Sequence, residues 1–178
     1  MPPKLPAAVQ RFIVHWGEMG SRWGINRSVA QIHALLYVSP APLSADAIAA
    51  ALAVARSNVS TSLRELQAWG LVKVVHALGD RRDHFQAESD VWEMFRIIVA
   101  GRKRREIDPA LERLRECVTS TRPTDAADSH AQARMRELLA FFETMDAWYQ
   151  QVQRLPRGTL QNLIRLGGKI GAVLEKRK

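Results

Sequence analysis

A mainly α-helical fold carrying a small two-stranded β hairpin is predicted by three features of the chain. Apolar residues recur at three- and four-residue steps through most of its length, the period of helices with one buried face. Residues 43 to 70 read as two short helices joined by a tight turn. The β-branched run L-V-K-V-V-H and the segment D-H-F-Q-A-E enclose the loop L-G-D-R-R, a hairpin pattern with Arg81 and Arg82 at its tip. Helix, turn, helix and basic hairpin in that order make a winged helix-turn-helix. Further helices at the N- and C-terminal ends are expected to serve dimerisation.

The first helix is expected over Ala7–Arg22, where Val9, Phe12, Ile13, Trp16 and Met19 share a face. Gly17 and Gly20 interrupt good helix formers at about 1 kcal/mol each relative to alanine. Such glycines permit close approach of another helix or leave room for a ligand beside the indoles. Asn26 is placed to cap a helix over Arg27–Val38, with Ala30, Leu35 and Leu36 turned inward, and Ser39-Pro-Ala-Pro stops it. Ser44 then caps Asp46–Ala53, and Val54 and Ala55 form the turn. The next helix spans Arg56–Trp69 and ends at Gly70.

In that helix Val59, Leu63 and Leu66 form one apolar stripe, while Arg56, Ser57, Asn58, Ser60, Thr61 and Arg64 occupy the opposite face. Short donors and acceptors with two cations suit base edges in a DNA major groove. Asn58 matches adenine, and Arg56 or Arg64 matches guanine or a phosphate. Arg81 and Arg82 would reach the minor groove or its phosphates. Ser44, which starts the preceding helix, completes the DNA-facing set.

Beyond the hairpin, Ser89 or Asp90 starts a helix containing Trp92, Phe95, Ile98 and Val99. The basic run Arg102–Arg105 points around most of a helix and reads as a solvated face rather than a DNA contact. Asp108-Pro109 reads as an N-cap followed by proline at the first helical position, hence a kink or a new helix. Ser120–Ser129 is the best linker. A long helix follows over Ala131–Leu155, its stripe formed by Met135, Leu138, Leu139, Phe142, Met145 and Tyr149. A last helix spans Thr159–Glu175, where Gly167, Gly168 and Gly171 call for a packing partner. Two domains are expected: residues 1–90, the N-terminal helix and DNA-binding part, and residues 91–178, a helical dimerisation region.

The chain has 178 residues, 47% hydrophobic and 25% charged, ordinary globular values that allow a real core. A net charge of +8 and a pI near 10.4 favour an acidic partner such as nucleic acid or an anionic membrane surface. The lone Cys117 excludes an intramolecular disulfide and a cysteine-based zinc site. On its helix it reads as a packed or surface residue, with a redox switch as the alternative. No apolar run approaches the roughly 20 residues that span a bilayer. The start M-P-P-K-L-P lacks the apolar core of a signal peptide, so a cytoplasmic protein is expected. Catalysis finds little support. His15, His33, His76, His84 and His130 lack metal-ligand spacing, and no phosphate loop or nucleophile motif is present. No cofactor is expected.

The segments S-N-V-S-T-S-L-R-E-L-Q-A-W-G-L-V and G-D-R-R-D-H-F-Q-A-E-S-D-V-W resemble the GbsR branch of the MarR-type transcriptional regulators. The resemblance extends to R-K-R-R-E-I-D-P-A-L-E-R-L-R-E and back to F-I-V-H-W-G-E-M-G, covering roughly Val9 to Glu116. It implies a homodimer that binds operator DNA, with Asp80 or Asp83 bracing the wing arginines. It also implies sensing of choline or glycine betaine. A quaternary ammonium group suits an aromatic cage, for which Trp16, Trp23, Tyr37, Trp92 and Phe95 are the candidates. The expected function is therefore a homodimeric, sequence-specific regulator of transcription, a repressor. Two alternatives remain: a DNA architectural protein without sequence preference, and a winged-helix scaffold for protein contacts.

Overall fold

The computed structural model of the protein describes residues 5–76, 78–120 and 126–175, and side chains as far as Leu166. The chain divides into two compact units, Met1–Val99 and Ala100–Lys178. The first therefore runs past residue 90. The reason is α5 (Val91–Arg102), which places Met94, Ile97 and Ile98 against the core of the first unit.

Helices α1 (Ala7–Arg22) and α2 (Arg27–Val38) open that unit with the expected bounds. Asn26 Oδ1 accepts a hydrogen bond from Ser28 N at 2.8 Å, satisfying one of the free amides of the first turn. Of the two roles open to Gly17 and Gly20, the structure shows close helix approach. A Cβ on Gly17 would lie 2.6 Å from Cγ of Gln31, and one on Gly20 would lie 2.6 Å from Cβ of Ala30. Both glycines are buried, and the surface of α2 fills the space beside them.

Strand β1 (Leu43–Ser44) leads into α3 (Ala45–Leu52), a turn, and α4 (Arg56–Ala68). Ser44 Oγ accepts from Ala47 N at 3.2 Å, the cap read from the sequence. The turn comes slightly earlier than the sequence suggests. Ala53 takes the left-handed conformation, φ 53° and ψ 43°, which costs roughly 1–2 kcal/mol for a residue with a Cβ. That single residue reverses the chain so that α4 packs back on α2 and α3. Gly70, φ +79°, then ends α4.

Strands β2 (Val72–Val75) and β3 (His84–Ala87) form the predicted hairpin, pairing Val74 with Phe85 and Val75 with His84. The sheet has a third strand that the sequence did not suggest. Leu43 and Ser44 pair with Phe85 and His84 of β3, giving the order β1-β3-β2. A two-residue strand has no alternation to detect, and only the tertiary neighbour defines it.

The core gathers the apolar faces of these elements. Ile32, Ile48, Val59, Leu63 and Leu66 are at most 1% exposed, and a truncation to alanine at any of them would leave a cavity. α5 starts where expected, with Asp90 Oδ1 accepting from Trp92 N at 2.8 Å.

In the second unit the chain does not restart at Asp108. A π-helical turn, Lys103–Ile107, runs straight into α6 (Asp108–Ser120), and Asp108 is itself helical, φ −59° and ψ −46°. Pro109 brings no N–H to the helical ladder, and the wider π turn accommodates that gap without breaking the helix. The Asp108 carboxylate binds Lys103 Nζ instead of capping. Lys103 Nζ also lies 2.7 Å from Asp146 Oδ1, tying the π turn to α7 (Ala126–Val152), and 5.7 Å from the centre of the Tyr149 ring. The basic run is thus partly spent on structure.

α7 begins before residue 131 because Ala126–Ser129 join it. Residues 121–125 of the expected linker lie outside the described residues. The same holds for residues 1–4 and 176–178 and for the surroundings of Gly167, Gly168 and Gly171 in α8 (Arg157–Glu175). The single apolar stripe read along α7 separates into two. Met135, Leu139, Phe142 and Tyr149 are partly buried, whereas Leu138, Phe141, Met145 and Trp148 are 44% to 59% exposed.

His33 is 4% exposed, between the rings of Trp16 and Tyr37 at centroid distances of 6.4 Å and 6.5 Å. Among the described residues its Nε2 meets no hydrogen-bond partner. Burial lowers its pKa from 6.5 to about 4, because the charged ring would lose its hydration. The unfolded chain therefore takes up this proton more readily than the folded one. The stability is fully present above the unfolded pKa and is lost as pH falls from 6.5 to about 4. Denaturant titrations across this window should show a loss on the order of 3 kcal/mol from this group. His33→Phe should flatten that part of the profile, and an identical profile in the variant would remove His33 as its source.

Candidate nucleic-acid interface

Burial of Val59, Leu63 and Leu66 decides which side of α4 meets solvent. Arg56, Ser57, Asn58, Thr61 and Arg64 are exposed, and Ser60 is half-buried. The structure thus brings the expected recognition residues onto one open face. Ser44 differs from them. It is 7% exposed, and its hydroxyl is engaged as the α3 cap.

These side chains are held rather than free. Arg56 Nε donates to Asp46 Oδ1 at 2.7 Å, and Arg56 Nη1 donates to Ser60 Oγ at 2.5 Å. Asn58 Nδ2 donates to Ser28 Oγ at 3.1 Å, linking the face to the start of α2. Arg64 Nη2 donates to Thr61 Oγ1 at 3.3 Å.

In the hairpin loop Arg82 is clamped by Asp80. Its Nη2 lies 2.6 Å from Asp80 Oδ2, its Nε 3.0 Å from Asp80 Oδ1, and its backbone N–H donates to the same Oδ1 at 3.0 Å. These hydrogen bonds, side-chain first, hold the Asp80 carboxyl well below the usual carboxylate range. Asp80 Oδ2 also lies 3.7 Å from His84 Nε2. Arg81 is exposed beside this clamp, and Asp83 Oδ1 lies 3.7 Å from His76 Nδ1.

An open cleft of about 360 Å³ runs between α4 and the hairpin, lined by Arg56, Arg64, Gln67 and Arg82 with Asp46 and Asp83. Asp46 and Gln67 were not among the residues expected here. Asp46 belongs to the preceding helix, and nothing in the spacing to Arg56 announces that their side chains meet.

The aromatic residues considered for a ligand lie in different settings. Trp16 and Tyr37 are partly buried beside His33 and the core. Trp23 is 56% and Phe95 54% exposed, and Trp92 is half-buried. Cys117 is exposed on α6. Among the described residues no group of three or more His, Cys, Asp or Glu side chains is arranged to hold a metal ion. No helix among them is long and apolar enough to cross a membrane.

Residues 23–83, about a third of the chain, match the sequence model of the MarR family. No curated protein sequence matches the chain. Among solved structures it is similar to one described as a transcriptional regulator, with a TM-score of 0.57 and 22% identity. That match covers 83% of this chain and 99% of the other. Lower similarity is found to the multiple antibiotic-resistance repressor MarR from Listeria monocytogenes 4b F2365, with a TM-score of 0.34 and 14% identity over 94% and 88% of the two chains. An S. aureus MepR mutant bound to an oligodeoxyribonucleotide gives 0.38 and 17% identity over 75% and 95%. The first of these supports the fold; the other two scores are too low to bear on it. The segment similar to the MarR family, Trp23 to Asp83, holds α2, α3, α4 and β2, and β3 completes the hairpin just beyond it.

Proposed function

We propose that the chain is a homodimeric, sequence-specific DNA-binding regulator of transcription, a cytoplasmic repressor of the GbsR type. The observation that carries this reading is the exposed face of α4, which presents Arg56, Asn58, Thr61 and Arg64, with Arg56 and Arg64 lining one open cleft together with Arg82. The N-terminal half of α4 enters the major groove, and Arg81 and Arg82 meet the minor groove or its phosphates. A net charge of +8 supplies the long-range attraction. A protein that coats DNA without preference has no use for carboxylates on its contact surface, yet Asp46 and Asp83 line this cleft. That favours the specific reading over the architectural one.

The dimer is supported by α7. Leu138, Phe141, Met145 and Trp148 follow three- and four-residue steps and stand 44% to 59% exposed. A contiguous apolar seam of this kind marks a helix face that packs against a partner. Covering the exposed half of each side chain would contribute on the order of 1 kcal/mol. The occupant we propose is the same seam of a second copy.

The reading extends to an effector bearing a quaternary ammonium group, such as choline or glycine betaine. Its support is the resemblance to the GbsR branch and the exposed rings of Trp23 and Phe95. The effector must bind the DNA-competent and incompetent forms unequally to act.

Anisotropy titrations of a labelled duplex over a range of salt test the DNA contact. Replacing Arg81 and Arg82 together by alanine should weaken binding and reduce the slope of log affinity against log salt by up to ~2. Identical slopes would take the wing out of the mechanism. Choline in the same titration should shift the affinity of the unaltered protein; an unchanged curve would dismiss this effector. Phe141→Glu with Trp148→Glu should reduce the sedimenting mass from two 20.0 kDa chains to one. A variant that stays dimeric would place the interface elsewhere.

A further inference from the structure

Of the acids along the proposed DNA-contacting surface, Asp46 is the one that engages a side chain of α4 among the described residues. Asp46 stands in the first turn of α3 with its side chain 68% exposed, and its Oδ1 accepts from Arg56 Nε at 2.7 Å. Helix capping does not explain it, because Ser44 Oγ already serves the α3 cap. An acid in the first turn of α3 gains about 0.3–1 kcal/mol from the helix dipole, and the exposed ion pair adds little, but neither requires the contact with Arg56. Its effect falls on Arg56, the first residue of α4 and so at the end that enters the groove.

Arg56 is gripped from two sides. Asp46 takes its Nε–H, and Ser60 Oγ accepts from Nη1 at 2.5 Å. The Ser60 hydroxyl in turn donates to the Arg56 carbonyl at 3.1 Å. The guanidinium keeps further N–H groups, two on Nη2 and one on Nη1. A loose arginine follows the nearest phosphate. A gripped one presents a fixed pair of donors, which matches the O6 and N7 acceptors of guanine in the major groove. Arg64 provides the contrast: its hydrogen-bond partner, Thr61, is neutral and brings no opposing charge. The charge of Asp46 also reaches the wing. The protonated form of Arg82 is favoured first by its hydrogen bond to Asp80, and Asp46 adds to that.

We propose that Asp46 is a positioning residue that fixes Arg56 as a guanine reader, so that the pair sets one base preference in each half-site. Asp46 gives up affinity for DNA in general and gains discrimination at one base pair. The inference rests on the DNA-binding reading above and adds the residue that makes one contact selective.

The test is selection of binding sites from a random double-stranded library with the full-length protein and with Asp46→Ala, Asp46→Asn and Arg56→Ala. Affinities for the selected duplex, for its single-base variants and for an unrelated duplex follow. The unaltered protein should select guanine at one position of each half-site, and Arg56→Ala should lose it. Asp46→Ala should lower the preference for that guanine by ~10-fold or more, while its affinity for the unrelated duplex rises. Asp46→Asn keeps the acceptor oxygen without the charge. It should retain part of the guanine preference and still gain affinity for unrelated DNA. A purely electrostatic role would instead raise all affinities in proportion and leave base preference untouched. If Asp46→Ala or Arg56→Ala selects the same guanine as strongly as the unaltered protein, the proposal is overturned and the DNA-binding reading stands. If the unaltered protein selects no motif, the sequence-specific reading falls and this proposal with it.

Discussion

Burial of Val59, Leu63 and Leu66 is the constraint from which the rest of the first unit follows. These three side chains are at most 1% exposed, and one helix cannot bury that stripe without turning Arg56, Asn58, Thr61 and Arg64 outward. Packing energy therefore sets the orientation of the polar face. The left-handed Ala53 brings α4 back onto α2 and α3, and the hairpin continues directly from Gly70. The position of Arg82 relative to α4 is in this sense a consequence of the core.

Charge on the contact surface is restrained rather than merely positive. Arg56 has Asp46, Arg82 has Asp80, and Asp83 stands near His76. Each acid reduces the attraction to phosphate. Asp46 and Asp80 also remove conformational freedom from a long side chain that would otherwise be ordered on binding. A surface built this way exchanges raw affinity for defined donor positions, the exchange that the proposed sequence-specific function requires.

Much of this was legible in the sequence where one physical signal dominates. The bounds of α1 and α2, the caps at Asn26 and Ser44, and the stripe of α4 follow from periodicity and capping chemistry, and the structure reproduces them. The hairpin was visible as two β-branched or aromatic runs around a glycine loop. Long-range features were not visible. Strand β1 exists only because β3 lies beside it. Of the expected cap followed by a kink or new helix at Asp108-Pro109, α6 does begin at Asp108 after a π turn, but the cap role is lost because Lys103 takes the Asp108 carboxylate. Asp46 was missed because Arg56 lies ten residues further on, across a turn whose geometry no periodicity reveals. On α7 the three/four pattern could not separate the side that packs within the unit from the side left open.

The proposed function requires two chains that present two recognition helices to one duplex. A protection footprint of the purified protein on the DNA flanking its own gene, at near-physiological salt, tests it most directly. The account predicts two protected half-sites about one helical turn apart, roughly 34–36 Å between centres. Uniform coating of the fragment, with no protected pair at any concentration, would contradict it.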